Sequence, residues 1–209
     1  NLNKCIDFKN NKIWSQWEIA KKNETLENKI LGIIGYGSIG KEIAKRAKKF
    51  NMKIYATRRL QKNRLSNKNV DLLLPLCEID YLLNRSDYIV IACPLTYLTR
   101  NLINEKKFNI MNSNSILINV SRGEIVDEKE LINVLINKKI KGAALDVFNL
   151  EPLSKDSPLF NLNNVLLSPH IAGNFNNYQS NVIKAFEENL NRYINHKSLR
   201  NRVCKKRQY

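Results

Sequence analysis

No run in this sequence is long and apolar enough to span a membrane, and no signal-peptide pattern opens it. No membrane partner is therefore expected. Cysteine is sparse: Cys5, Cys77, Cys93 and Cys204 form no C-x-x-C motif and share no ligand spacing with the two histidines. That argues against a zinc site or a disulfide framework, so no metal is assigned, and a reducing, cytoplasmic setting is expected. Internal repeats are absent, as are low-complexity segments beyond an Asn/Lys bias. Acidic residues are scarce, 19 Asp+Glu against 35 Lys+Arg, which leaves a formal charge of +16. Such a charge admits nucleic acid or another anionic surface. The basic residues are nonetheless spread through almost every segment, apart from short clusters at 45–49 and 205–207. They read as surface filler, and nucleic acid is not the expected partner.

What is present has the balance of a globular protein: 43% hydrophobic and 26% charged residues in 209. The stretch Lys29-Ile30-Leu31-Gly32-Ile33-Ile34 runs into Gly35-x-Gly37-x-x-Gly40. Ile39, Ile43, Ala44, Ala47 and Phe50 then recur at the spacing of one helix face. The pattern predicts a buried parallel strand, a tight turn and a helix N-terminus that holds an anion. Gly35 allows the turn, Gly37 lets a pyrophosphate approach the backbone, and Gly40 lets the helix pack close. Free amides and the helix dipole favour negative charge there by roughly 0.3–1 kcal/mol. A bland Gly-rich strand–helix turn is the competing reading.

A second strand, 52–56, ends in Thr57-Arg58-Arg59. A residue about 20 positions past the glycines meets the adenosine ribose; an acid there selects NAD, and an arginine accommodates the 2′-phosphate of NADP. Here the place holds Arg58, flanked by Thr57 and Arg59, with no carboxylate to repel a phosphate. Solvated arginines at a strand end are the alternative. Segment 61–70 is polar and loop-like. Beyond it the pattern predicts a short helix at 79–84, strand 88–92, helix 105–111, strand 115–120, helix 128–137, and strands 142–145 and 164–167. A last helix, 176–196, should turn Val182, Ile183, Phe186, Leu190 and Ile194 inward. The sustained strand–helix alternation predicts an α/β fold with a doubly wound parallel sheet.

In open parallel sheets, ligands bind beyond the carboxyl ends of the strands. The polar residues expected there are Arg122, Asp146, Glu151 and His170, a set suited to reducing a carbonyl. An arginine pairs bidentately with a carboxylate. A histidine delivers a proton to the carbonyl oxygen while a cofactor delivers hydride to carbon, and a neighbouring carboxylate favours the imidazolium. Taken singly, an Arg-Gly pair is often a turn and a lone histidine is often structural.

Three longer motifs bind these residues together: Asn119-Val120-Ser121-Arg122-Gly123-Glu124-Ile125-Val126-Asp127, Leu145-Asp146-Val147-Phe148 with Glu151-Pro152-Leu153, and Ser168-Pro169-His170-Ile171-Ala172-Gly173. With Cys93-Pro94-Leu95-Thr96, Thr99 and the glycine fingerprint, their order and spacing resemble the D-isomer-specific 2-hydroxyacid dehydrogenase family. The resemblance runs from about residue 28 to the C-terminus. It implies a Rossmann-type dinucleotide-binding domain in which Arg122 binds a 2-oxo acid, Glu151 pairs with His170, and His170 donates the proton. It also implies that Asp146 meets the nicotinamide carboxamide. The implied cofactor cleft is lined by Gly35, Gly37, Ser38, Ile39, Gly40, Thr57, Arg58, Arg59, Cys93, Pro94, Thr99, Val120, Ser121, Arg122, Asp146, His170 and Gly173. The arginines after the second strand resemble the glyoxylate/hydroxypyruvate reductase branch, which implies NADP as cofactor, with NAD as the alternative.

The family places this domain between two parts of a substrate domain, and the first part is not in this sequence, which begins at Asn1 rather than Met. The expectation is an arm at 1–28, bearing Trp14 and Trp17, a dinucleotide-binding domain at 29–196, and a segment at 197–209 that returns to a substrate domain, with Leu199, Val203 and Tyr209. A homodimer acting on a small 2-oxo or 2-hydroxy acid is the implied assembly. A dinucleotide-binding module without turnover is the alternative.

Overall fold

The computed structural model describes residues 2–14, 16–21 and 23–206, so Arg207 and Tyr209 lie outside the described residues. In chain order the elements are α1 (Leu2–Asn11), α2 (Gln16–Ala20), β1 (Ile30–Ile34), α3 (Ser38–Ala47), β2 (Lys53–Arg58), β3 (Leu65–Asn67), β4 (Val70–Pro75), α4 (Ile79–Arg85) and β5 (Tyr88–Ile91). Then follow α5 (Glu105–Phe108), β6 (Ile116–Asn119), α6 (Glu128–Ile136), β7 (Gly142–Leu145), β8 (Val165–Leu167) and α7 (Tyr178–Ile194). The strands form one sheet in the order β3-β4-β2-β1-β5-β6-β7-β8. Every neighbouring pair is parallel except β3–β4.

Strand β1 sits at the centre because its residues are apolar on both faces. Leu31 and Ile33 join Tyr36, Ala44, Ala47, Ile54 and Ala56 in one core cluster. Ile34 joins Leu82, Leu83, Ile89 and Ile91 in the other. The clusters divide with the two-residue period of the strand, so helices cover both sides, as a doubly wound sheet requires. Ile33, Ile34, Ile54, Ile89 and Ile91 are wholly buried; each such side chain contributes roughly 1.5–3 kcal/mol relative to exposure. From β1 the chain goes to β2 and β4 on one side and returns as β5 on the other. The loops leaving β1 and β5 therefore diverge from adjacent strand ends, the topological switch point where such sheets bind ligands.

Several expectations are corrected. Segment 61–70 is not all loop: Leu65–Asn67 pairs antiparallel with Val70–Pro75, a strand the polar Asp71 disguises in sequence. That carboxylate accepts a hydrogen bond from the Ile54 amide at 2.6 Å and pairs with Lys48 at 2.6 Å, so an acid inside a strand is satisfied. Ile39 and Phe50 do not share the buried face of α3; both are exposed, Phe50 within a 3-10 turn that follows the helix and changes its phase. Helix α5 ends at Phe108, three residues short of the expected stop. Apart from these corrections, segment 1–28 carries α1 and α2, with Trp14 78% and Trp17 69% exposed.

The chain forms two compact units, 1–169 and 170–209. In the second, the tail folds onto α7: Arg200 pairs with Glu188 at 2.5 Å, and Arg192 donates to the Ser198 carbonyl at 2.7 Å. No residue of α7 is buried. Val182, Ile183, Phe186, Leu190 and Ile194, expected inward, are all exposed. Their spacing makes the helix amphipathic, and amphipathicity alone does not say what covers a face.

At the amino edge of the sheet, a polar cavity of about 280 Å³ is lined by Glu24, Lys29, Asp87 and Lys141 among others. Glu24 ties the segment before β1 to the sheet, pairing with Lys29 at 2.8 Å and with Lys141. Hydrogen bonds from Lys141 and Lys29 hold its carboxyl at about 2. A carboxylate so lowered stabilises the fold above its ordinary value of 4.5 and loses that contribution as the pH falls through its folded value. Glu24→Gln should lower the thermal midpoint at pH 7 by about 1–3 °C, a small effect because the pair is solvent-screened. Circular dichroism melts should show the gap closing as the pH falls from 4.5 towards 2; a gap constant across that range would refute it.

Candidate active site

The turn after β1 is fixed by backbone chemistry. Gly35 has φ +104°, and a Cβ there would lie 2.7 Å from Cys93 Cβ and N. Its amide and that of Tyr36 donate to the Thr57 carbonyl, at 3.2 and 2.8 Å. A Cβ on Gly40 would collide with the Gly35 carbonyl oxygen, so only glycine lets α3 seat against the turn. Gly37 differs. Its φ of −91° is open to any residue, and a Cβ there would meet no protein atom within 4 Å. None of the described residues packs into the space above Gly37. It lies at the N-cap of a 10-residue helix with no side-chain acceptor for its first amides, beside exposed Ser38 and Ile39. These residues fit a pyrophosphate.

At the end of β2 the three candidates separate. Thr57 is wholly buried and its hydroxyl has no partner among the described residues, so its carbonyl serves the glycine turn while its side chain offers a ligand no surface. Arg58 is exposed, with no hydrogen-bond or ion-pair partner for its guanidinium among the described residues, while Arg59 donates to the Tyr97 hydroxyl at 3.3 Å. Tyr97 belongs to the loop after β5. There Thr99 is buried, its hydroxyl donating to the Pro94 carbonyl at 2.7 Å and accepting from the Thr96 amide at 2.8 Å. Thr99 thus shapes the loop, and Pro94 stands exposed on it. Burial pushes the Cys93 thiol up to about 11, so it stays neutral. The Cys93 carbonyl accepts from the Ser121 hydroxyl, which joins the β5 and β6 loops.

After β6, Asn119 is the residue that sequence reasoning missed. It is buried, accepts from the Ser121 amide at 3.1 Å and donates to the Arg122 carbonyl at 2.9 Å. An Asn closing a strand just before a Ser-Arg-Gly turn is an Asx-turn signal that could have found it. Val120 is half-buried, and Arg122 is exposed, its Nη1 donating to the Ser121 carbonyl at 2.6 Å. After β7, Asp146 is buried and accepts from the Ser168 hydroxyl at 2.6 Å. Glu151 is exposed and accepts from the Phe148 amide at 2.9 Å. Gly35, Cys93, Arg122, Asp146 and Glu151 thus all lie beyond the carboxyl edge of one parallel sheet. His170, with φ 52°, and exposed Gly173 belong to the second unit.

A glycine turn at the switch point, an uncapped helix N-terminus and polar residues along the same edge define a dinucleotide-binding α/β domain. The comparisons narrow the class. Residues 1–172 match the NAD binding domain of D-isomer specific 2-hydroxyacid dehydrogenases, and the chain belongs to that family. It is 46% identical over 143 residues to a glyoxylate reductase of Pyrococcus horikoshii, covering 68% of this chain and 42% of the relative. It is 40% identical over 167 residues to glyoxylate/hydroxypyruvate reductase B of Salmonella newport, covering 79% of this chain and 50% of the relative. The chain therefore spans half or less of these relatives' length. Among solved structures, a D-isomer specific 2-hydroxyacid dehydrogenase of Xanthobacter autotrophicus Py2, in complex with NADPH and MES, shares 27% identity at a TM-score of 0.86. That match covers 100% of this chain and 83% of the other. An NADPH-dependent glyoxylate/hydroxypyruvate reductase of Sinorhizobium meliloti, at 24% identity and a TM-score of 0.87, shares the fold; the match covers 99% of this chain and 64% of that one.

The glycines make opposite predictions. Gly40→Ala should cost about 1–3 kcal/mol of stability, read as a lower thermal midpoint, because helix and turn must part. Gly37→Ala should leave the midpoint unchanged and weaken binding of a nicotinamide dinucleotide about tenfold or more. Equal affinity in Gly37→Ala and wild type, by fluorescence titration, would contradict the placement of the pyrophosphate.

Proposed function

We propose that this chain is the cofactor-binding part of an NADPH-preferring reductase of small 2-oxo acids, such as glyoxylate or hydroxypyruvate, yielding D-2-hydroxy acids. The observation that carries the reading is the glycine turn sharing one carboxyl sheet edge with Arg122, Asp146 and Glu151. The names of the relatives, and the NADPH bound to the Xanthobacter structure, support it. Gly35, Gly37, Ser38, Ile39 and Gly40 hold the pyrophosphate, and Arg58 and Arg59 face the adenosine ribose. A charge-assisted hydrogen bond from arginine to the 2′-phosphate is worth about 1.5–3 kcal/mol, at least a tenfold preference for NADP over NAD.

Arg122 takes the substrate carboxylate in a two-point pairing and draws electron density from the adjacent carbonyl. His170 moves a proton from an imidazolium nitrogen to the carbonyl oxygen, and Glu151 is the carboxylate that favours the imidazolium. Asp146, oriented by Ser168, accepts from the nicotinamide carboxamide and fixes the face the ring presents. Pro94, Cys93, Thr99, Val120, Ser121 and Gly173 complete the cleft walls. The cofactor, when bound, supplies hydride to the carbonyl carbon. The sum is 2-oxo acid, NADPH and one proton giving 2-hydroxy acid and NADP. In the intact protein His170→Ala should lower kcat for glyoxylate or hydroxypyruvate by about 10²–10⁴. Steady-state kinetics decide it, and turnover equal to wild type would sink the assignment.

Because the chain spans half or less of the curated relatives, a second reading is that these 209 residues bind the dinucleotide without turnover. Steady NADPH oxidation by this chain alone, with several 2-oxo acids, would exclude that reading. We further propose a cytoplasmic homodimer that uses the exposed Trp14 and Trp17 as contacts. Sedimentation should give twice the chain mass, and Trp14→Ala with Trp17→Ala should shift it towards the monomer; a wild-type monomer would refute it.

A further inference from the structure

Two arginines stand at the end of β2, and the structure treats them differently. Arg58 is exposed, and among the described residues its guanidinium has no hydrogen-bond or ion-pair partner. Arg59 is half-buried, and its Nη2 donates to the Tyr97 hydroxyl at 3.3 Å, with Cζ 5.8 Å from the centre of the Tyr97 ring. That is within the roughly 6 Å over which an aromatic face attracts a guanidinium.

Tyr97 is itself 65% exposed, yet it is displayed from a stiff turn. Thr96 and Thr99 on either side are buried, and their hydroxyls lie 3.1 Å apart. The Thr99 and Arg100 amides both donate to the Thr96 carbonyl, each at 3.0 Å. This large aromatic, held out from a locked turn, meets Arg59 through both its hydroxyl and its ring. The phenol engages the planar guanidinium, a group whose charge and fork of N–H donors match a phosphate. An arginine already held in place loses less side-chain freedom on binding than one that is not.

We propose that Tyr97 is a positioning residue that holds Arg59 ready for the 2′-phosphate of an adenosine, so that the loop after β5 sets the choice between NADP and NAD. The proposal rests on the NADPH reading above. Stacking of Tyr97 on the adenine is the rival role, and it treats the two cofactors alike.

The test is fluorescence titration of the intact protein with NADPH and with NADH, alongside thermal melts. Arg59→Ala should weaken NADPH about tenfold and leave NADH unchanged. Tyr97→Ala should weaken NADPH roughly three- to tenfold, again sparing NADH and the thermal midpoint. Tyr97→Phe, which keeps the ring and loses the hydroxyl, should fall between wild type and Tyr97→Ala. The double variant should be no worse than Arg59→Ala alone, because Tyr97 acts through that arginine. Equal losses for NADPH and NADH, or additive losses in the double variant, overturn the proposal. If wild type prefers NADPH and Tyr97→Ala keeps the full preference, the proposal fails while the cofactor reading stands. If wild type shows no preference, the cofactor reading falls and this proposal with it.

Discussion

The contact on which the rest depends is the seating of α3 against the turn that ends β1. Gly40 has no Cβ to collide with the Gly35 carbonyl oxygen, and the Thr57 carbonyl takes the Gly35 and Tyr36 amides. Three consequences follow from that one arrangement. The first turn of α3 is brought to the strand end with its amides unspent. Strand β2 is pinned to β1 beyond the sheet ladder, which sets where Arg58 and Arg59 emerge. The turn also closes on Cys93, so the loop after β5 must diverge there, opening the crevice at the switch point. A single methyl group at Gly40 would separate all three, because close-packed interiors have no slack to absorb it.

Much of this architecture was legible in the residues. The runs at 88–92, 115–120 and 142–145 read correctly as strands because a sheet covered on both faces demands unbroken apolar stretches. The glycine spacing was legible because Gly35 and Gly40 each answer a steric need of the turn itself, positive φ at one and close approach at the other. What did not read was anything decided by a partner distant in sequence. Strand β4 was hidden because Asp71 looks like a breaker until the Ile54 amide and Lys48 are seen to satisfy it. Phe50 keeps helical spacing in the sequence, but the backbone tightens into a 3-10 turn and points it elsewhere. The apolar stripe of α7 was legible as a stripe, while the surface opposite it was not.

The same logic accounts for the charge. Acidic residues are few, and many are spent on the scaffold: Asp71, Asp87, Asp127, Glu128 and Glu151 each accept from a backbone amide. Asp146 accepts from Ser168 and Glu24 from two lysines. The excess of positive charge comes from the count of Lys and Arg, and these acids are committed to loops and strand ends. At the carboxyl edge this leaves Arg58 and Arg122 exposed, a field suited to phosphate and carboxylate without any need to invoke a nucleic acid.

Hydrogen-bond accounting also divides the motif residues into those that build the cleft and those that face it. Thr99, Ser121 and Asn119 spend their side-chain groups on the carbonyls and amides of neighbouring loops. Sequence alone cannot make this division, because a hydroxyl committed to a carbonyl and one turned to a ligand are the same letter. Asn119 shows why it matters. Its carboxamide accepts from Ser121 and donates to the Arg122 carbonyl, so one buried side chain fixes both ends of the turn that presents the arginine. Aspartate in its place could accept but not donate, and it would bury a charge opposite a carbonyl oxygen. The direction in which Arg122 leaves the sheet is therefore set beneath the edge, by a residue whose polar atoms are already paired within the protein.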